Sequence, residues 1–250
     1  MGSNLKMTFF SIIIPAHNEE GNIEKTCQSI LKEFGKHNIT DFEILVVNDN
    51  SQDKTEEKLK VLTSNSKYIR YINNIPPNGF GFAVRKGLDH YTGEVACLVM
   101  ADSSDYPKDI LKYYSLMKEG HPCVFGSRFI QGSKVVDYPK FKLIINRFAN
   151  WFIKTLFCLD HNDITNAFKC YRREVIDALQ PILSHHFNLT VELPLKAIVR
   201  GFSYVTLPIS WRNREEGCSK LRLKEMGSRY FKVIFVVFLE KLQSKNLKLR

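Results

Sequence analysis

The sequence lacks any unbroken stretch of the 18 or so apolar residues that a membrane-crossing helix needs, so no such helix is expected. It lacks a C-x-x-C pair: the six cysteines (Cys27, Cys97, Cys123, Cys158, Cys170 and Cys218) are dispersed. Several sit inside apolar runs, so reduced core thiols in a cytosolic protein are expected. Repeats and low-complexity segments are absent. Residues 1–8 lack an apolar h-region, so no signal peptide is expected. Met1-Gly2-Ser3 opens like a myristoylation motif, but Lys6 stands where that motif requires Ser or Thr. Acid is in short supply: 26 Asp and Glu against 36 Lys and Arg give a net charge of +10 and a pI of about 9.3. That excess favours anionic partners, whether nucleotides, nucleic acid or an acidic membrane surface. With 44% hydrophobic and 25% charged residues over 250 positions, the chain has the composition of one globular domain with an appendage.

What is there alternates. Phe9–Pro15, Phe42–Val47, Tyr68–Ile72, Val95–Met100 and Cys123–Gly126 read as buried strands. Asn22–Phe34, Asp53–Leu62, Phe80–His90 and Lys108–Lys118 read as the helices between them. Alternation at this spacing predicts an α/β fold with a mostly parallel sheet and helices on both faces. Beyond residue 130 the pattern changes. Ile164–Tyr171 and Tyr204–Ser210 read as strands and Val191–Arg200 as a helix. Phe141–Leu159 is apolar around most of its circumference, with Lys142, Arg147 and Lys154 interspersed, and Met226–Leu242 carries VIFVVFL between Lys232 and Lys241. Basic residues within apolar helices of this kind suit a membrane interface. Trp151 and its neighbouring phenylalanines fit either a core or such a membrane-facing surface.

The segment Glu94–Pro107, EVACLVMADSSDYP, is where chemistry first shows. Its apolar strand ends in Asp102 and Asp105, which places two carboxylates on the rim where open α/β sheets bind ligands. Carboxylates with Ser and backbone oxygens around them suit a hard cation, Mg²⁺ or Mn²⁺, that would hold phosphate charge. Asp and Ser ahead of Pro107 are equally ordinary helix-capping chemistry. Asp49 stands at another strand end, in NDNSQD, where an acid accepts from a base or ribose; Asp53 in the same run reads as a turn and cap residue.

The runs SIIIPAHNEEGNI, ILVVNDNSQDKT, GFGFAVRKGL, GEVACLVMADSSDYP, FGSRFIQGS, DITNAFKCYRREVI and WRNREEGCSK occur in order over about residues 9–225. In that order the chain resembles the family 2 glycosyltransferases of the A-type, nucleotide-diphospho-sugar transferase fold, and most of all the polyprenyl-phosphate sugar transferases. The resemblance implies that Pro15, Asn18, Glu19 and Asp49 hold the base and ribose of a GDP- or UDP-sugar. Gly79, Gly81 and Arg85 would lie along the nucleotide wall, and Asp102 would bind the metal on the diphosphate, either alone with waters and donor phosphates or with Asp105 supplying a second carboxylate. Arg128 would face a donor or acceptor phosphate, and Arg212, Arg214, Ser219 and Lys220 would close over the phosphates as a C-terminal lid. Arg212, Arg214, Lys220 and Arg222 read equally as a solvated basic loop. One residue departs from the family: Met100 occupies the place of the first Asp of D-x-D, and a thioether is a poor ligand for a hard cation. Glu192, in FNLTVELPLKA, is either an acid of raised pKa that serves as a base or an anchor for a Lys or Arg. His185-His186 has no third ligand in view and reads as a surface pair.

The expectation is therefore a catalytic domain over 1–225 and an amphipathic basic tail over 226–250. Its activity would be an inverting, metal-assisted sugar transfer from a nucleotide sugar to a polyprenyl phosphate at the cytoplasmic membrane face. The enzyme would be peripheral, docked on anionic lipid or on an integral membrane partner, with no part for nucleic acid. The alternatives are transfer to a saccharide hydroxyl, with Glu192 or another acid as base, and a nucleotide-sugar-binding subunit without catalysis, which Met100 makes plausible.

Overall fold

The structure, a computed structural model, describes residues 8–213 and 223–248. The first half alternates as β1 (Phe10–Ala16), α1 (Ile23–Lys36), β2 (Phe42–Asn48), α2 (Thr55–Asn65), β3 (Ile69–Asn73), α3 (Phe80–His90), β4 (Val95–Leu98), α4 (Pro107–Lys118) and β5 (Cys123–Ser127). The second half continues as β6 (Lys134–Val136), α5 (Lys140–Phe157), β7 (Lys169–Arg172), α6 (Arg173–Ala178), α7 (Leu189–Val199), β8 (Val205–Pro208), β9 (Ser210–Arg212) and α8 (Leu223–Lys248).

Seven strands form one sheet in the order β3-β2-β1-β4-β7-β5-β8. Every residue of β1 and β2 is buried, as expected of strands covered on both faces. Side chains alternate between the two faces. Ile12, Ile14, Ile44 and Val46 pack under α1, α2 and α4. Ile13, Leu45 and Val47 pack under α3, α6 and α7. A third apolar cluster joins Ile153 and Phe157 of α5, Val191 and Leu195 of α7, and Val233, Ile234 and Val237 of α8. The segment read from sequence as a tail thus packs through α8 onto the rest of the fold, with Arg200 paired to Glu240 at 2.6 Å.

The sheet is parallel except at β7, which runs antiparallel to both β4 and β5. Ile164–Tyr171 is therefore not one strand; only Lys169–Arg172 pairs, and the residues before it form a loop that follows a buried pattern of its own. Likewise Tyr204–Ser210 divides, because β8 stays with the large sheet while β9 leaves to pair with β6. The order in which strands are added reverses between β1 and β4, which are themselves parallel: β2 and β3 build outward from one side of β1, and β4 lies on the other. That switch point opens a crevice at the carboxyl ends of β1, β2 and β4.

Candidate active site

Three loops meet at the crevice. The loops after β1 and β2 are laced to each other. Asn18 Oδ1 accepts from Gln52 N at 2.7 Å, Asn18 N donates to Ser51 Oγ at 3.0 Å and Glu19 N to Thr55 Oγ1 at 2.8 Å. Asp53 accepts from Thr55 N and Glu20 N, at 2.9 and 3.1 Å, which is the turn-and-cap chemistry expected of it. Asp49 is buried and accepts three donors from the loop after β3: Asn74 Nδ2 at 2.7 Å, Asn78 Nδ2 at 3.0 Å and Gly79 N at 2.9 Å. A carboxylate has about four lone-pair sites. Asp49 therefore spends most of its capacity fixing the wall opposite. Gly79 has φ +146, and a Cβ on Gly81 would stand 2.5 Å from the His185 carbonyl carbon, so this wall needs glycine in both places.

The loop after β4 carries Met100, Asp102 and Asp105. Ser103, at φ +57, turns the chain, and Ser104 N donates to Asp102 Oδ1 at 3.2 Å. Asp105 accepts from Met100 N at 3.0 Å. Burial, with Asp102 nearby, pushes the Asp105 carboxyl up to about 7. Asp102 and Asp105 are both buried beside Met100 on the crevice wall.

Facing this loop, Arg128 is held by Asp163. Arg128 Nε and Nη2 donate to the two Asp163 oxygens at 2.8 and 2.7 Å, and its backbone N donates at 2.9 Å. Burial raises the Asp163 pKa, and the Arg128 charge and its hydrogen bonds outweigh that and hold it below the ordinary carboxylate range. The fork uses two of the five guanidinium donors and Tyr138 engages the guanidinium as well, which leaves the remaining donors for another anion. Beneath it Lys169, 1% exposed, donates to Ile164 O at 2.9 Å and to Asn166 O. It thereby ties the loop that carries Asp163 and the crevice-lining Thr165 and Asn166. Burial brings Lys169 down to about 7 and, at His161, brings the imidazole down to about 4.

The crevice deepens into a cleft of about 890 Å³. At one end are Pro15, Glu19, Asp49, Asp102, Asp105 and Arg128; at the other are Phe148, Phe152 and Ile153 of α5 and Phe231 and Ile234 of α8. Lys142 of α5 and Arg229 of α8 also line the cleft. The apolar end continues outward. Phe141 is 70% exposed, Trp151 60% and Phe231 63%, with Ile144, Phe235 and Leu242 exposed beside them.

Residues 11–180 match the family described as glycosyl transferase family 2. The chain belongs to that family. A relative of the family 2 glycosyltransferase, the polyprenol monophosphomannose synthase of Mycolicibacterium smegmatis, is 28% identical over 228 residues, which is 89% of this chain and 84% of that protein. The dolichol-phosphate mannosyltransferase of Pyrococcus furiosus is 31% identical over 219 residues, 86% of this chain; the chain spans 59% of that protein's length. Among solved structures, glucosyl-3-phosphoglycerate synthase from Mycobacterium tuberculosis, crystallised with Mn²⁺, UDP and phosphoglyceric acid, superposes with a TM-score of 0.68. It shares 17% identity over 94% of this chain and 78% of its own, and shows the common A-type fold.

The cleft brings together Pro15, Glu19, Asp49, Gly79, Asp102, Asp105 and Arg128 of the glycosyltransferase's expected site. Other expected residues lie off its wall. Asn18 is exposed and staples the β1 and β2 loops, and Arg85 is half-buried on α3. Arg212 is exposed, with its Cζ 5.7 Å from the Tyr106 ring, and lines a smaller cavity of about 170 Å³ behind the Asp102 loop. Arg214, Ser219, Lys220 and Arg222 lie outside the described residues.

One expectation needs correction, and one open pair of alternatives is decided in favour of the anchor. The histidines are not a surface pair: His185 is exposed and stacks on Phe82 at 4.4 Å, but His186 is half-buried and lines the cleft beside Gly79. Glu192 is not an acid of raised pKa. Its oxygens accept from Leu183 N and Ser184 N at 2.7 Å each, and Lys196 pairs with it at 2.6 Å. Burial raises its pKa, and these partners outweigh that and lower it. Glu192 anchors the segment that meets Gly81. Asp163, Tyr138, Trp211 and the cleft-lining face of α8 went unassigned in the sequence. Asp163 stood inside the quoted run DITNAFK, where its spacing from Arg128 gives no local signal.

Proposed function

We propose that the enzyme transfers a hexose, with inversion, from a GDP- or UDP-sugar to a polyprenyl phosphate at a membrane surface. The observation that carries this reading is the continuity of the cleft: acids and Arg128 at one end, and apolar side chains that run out onto α5 and α8 at the other. A nucleotide sugar suits the first end and an isoprenoid chain the second. The names of the two mannosyltransferase relatives support a lipid-phosphate acceptor.

In this reading Glu19 and Asp49, with the loop Asp49 braces, receive the nucleoside. The residues fit a cation carried chiefly by the donor diphosphate, with Asp102 as its carboxylate; Asp105, committed to Met100 N and half protonated near neutral pH, is the weaker ligand. When bound, such a cation would neutralise charge on the departing diphosphate. An oxygen of the acceptor phosphate attacks the anomeric carbon, the bond to the diphosphate oxygen breaks, and the nucleoside diphosphate leaves. The acceptor is already an anion, so no base is required, in accord with the structural use of Glu192. Arg128, prealigned by Asp163, holds phosphate charge without reorganising during the reaction. The expected lid residues Arg212, Arg214, Ser219 and Lys220 would add charge from outside.

Docking on the lipid surface follows the same geometry. No helix among the described residues is long and apolar enough to cross a membrane. The exposed aromatics of α5 and α8 stand among Lys140, Arg147, Lys154 and Lys232, the combination that binds an anionic interface. A peripheral enzyme on the cytoplasmic leaflet is the form we favour. Flotation with anionic liposomes at low and high salt tests the docking. Incubation with labelled GDP- or UDP-sugars and vesicles that contain polyprenyl phosphate tests the reaction; the product is expected to extract into chloroform.

A further inference from the structure

The chain has two tryptophans, and they stand in different places. Trp151 lies on the exposed side of α5, whereas Trp211 lies in β9 and lines the cleft. The Trp211 and Tyr138 ring centroids are 4.7 Å apart, with their planes at 40°. Both rings are half-buried and both line the cleft. Their placement is fixed by backbone. β6 and β9 pair Val136 with Arg212, Asn213 N donates to Val136 O at 3.1 Å, and Arg212 N donates to Ser104 O at 3.2 Å. Trp211 itself bridges to Asp105. The aromatic pair is therefore tied directly to the loop that carries Asp102. A sugar joined to a diphosphate held at Asp102 would sit next to that loop. Arg128 has its Cζ 5.6 Å from the Tyr138 ring and 5.9 Å from the Trp211 ring, so the aromatic pair also borders the arginine.

We propose that Trp211 and Tyr138 form the platform on which the hexosyl ring of the donor stacks, and that they select among hexoses. This inference rests on the nucleotide-sugar reading above. A pyranose presents a face of C–H bonds that carries slight positive charge, and an aromatic face carries the complementary negative charge. Stacking would leave the ring hydroxyls to polar groups elsewhere on the cleft wall. An axial hydroxyl on the stacked face would hold the ring off the indole, so epimers that differ there would bind with different affinity.

The test uses the whole protein carrying Trp151→Phe, in which emission comes from Trp211 alone. GDP, UDP, GDP-mannose and UDP-glucose are titrated with Mg²⁺ or Mn²⁺ present, by fluorescence and by calorimetry. A nucleotide sugar is expected to change Trp211 emission beyond the change its nucleoside diphosphate gives. Trp211→Ala is expected to weaken the nucleotide sugar about tenfold, the scale of one aromatic contact, while the nucleoside diphosphate stays within about twofold. Trp211→Phe, which keeps a ring, should retain most of the sugar's contribution, and thermal unfolding of both variants checks the fold. If Trp211→Ala weakens the nucleoside diphosphate and the nucleotide sugar by the same factor, the rings only brace Arg128 and the platform is overturned. Unchanged affinity for both overturns it too. Failure of every nucleotide and nucleotide sugar to bind overturns the donor reading together with the platform, whereas normal nucleoside diphosphate binding without a sugar increment overturns the platform alone.

Discussion

Asp163→Asn is the substitution whose cost follows most directly from the structure. It preserves shape and removes one charge from a pair that is almost wholly buried: Arg128 is 8% exposed and Asp163 0%. Two charge-assisted bonds at 2.7 and 2.8 Å would lose the carboxylate, and an amide presents an N–H where Arg128 needs an acceptor. Leaving a buried charge without its partner costs about 3–5 kcal/mol. For a chain of this length that is a fall in Tm of about 10 °C. Removing the orphaned charge as well should return part of the loss, so Arg128→Met with Asp163→Asn is expected to be more stable than Asp163→Asn alone. Urea unfolding of the two single variants and the double variant gives the coupling energy. The pair has a pH signature too. The Asp163 pKa is depressed in the fold, so its stabilisation is complete above the unfolded carboxylate value, about 3.9, and is lost as pH falls through the folded value. Turnover should fall together with stability, because Arg128 would lose its alignment. A single Asp163→Asn variant within about 1 kcal/mol of wild type, with normal turnover, would refute the anchoring argument.

Three further outcomes are expected. Asp49→Ala should free the 74–79 loop from its three hydrogen bonds and weaken GDP or UDP binding at least tenfold, roughly the worth of one charge-assisted bond; unchanged affinity by calorimetry removes Asp49 from the site. Asp102→Asn should remove most activity, while Asp105→Asn, which replaces a carboxyl titrating near 7, should cost less; equal severe losses with a rise in apparent metal Kd would make Asp105 a ligand. Lys169, lowered by burial from an ordinary value of about 10.4 to about 7, leaves the fold with fewer bound protons than the unfolded chain between those values. Its contribution to stability therefore rises from pH 7 toward 10, and Lys169→Met should flatten that part of the urea-midpoint profile; an unchanged slope would contradict it.

The fold was legible where one physical signal sufficed. β1, β2 and β4 are short apolar runs that end in polar residues, and such runs are buried parallel strands wherever helices alternate with them. The helix Phe80–His90 was delimited to the residue because Gly79 opens it. The rim acids were legible for the same reason, as charge placed abruptly after an apolar run. What escaped depends on pairing across distance. Nothing local in Lys169–Arg172 reports that this strand runs antiparallel between two parallel neighbours. β6 is three residues long and exists only because β9 lies beside it, so Tyr138 and Trp211 had no element to be placed on. Asp163 and Arg128 lie 35 positions apart, and Glu192 looked like an isolated acid because its partners include backbone amides, which carry no sequence signature.

The central claim is that one cleft joins a nucleotide sugar to a lipid phosphate. The most direct measurement offers the enzyme a labelled nucleotide sugar with three acceptors in parallel: polyprenyl phosphate in vesicles, the corresponding polyprenol without phosphate, and a soluble oligosaccharide. The account predicts label in the chloroform phase with polyprenyl phosphate alone, of inverted anomeric configuration. Label on the oligosaccharide, with none on the lipid phosphate, would contradict it.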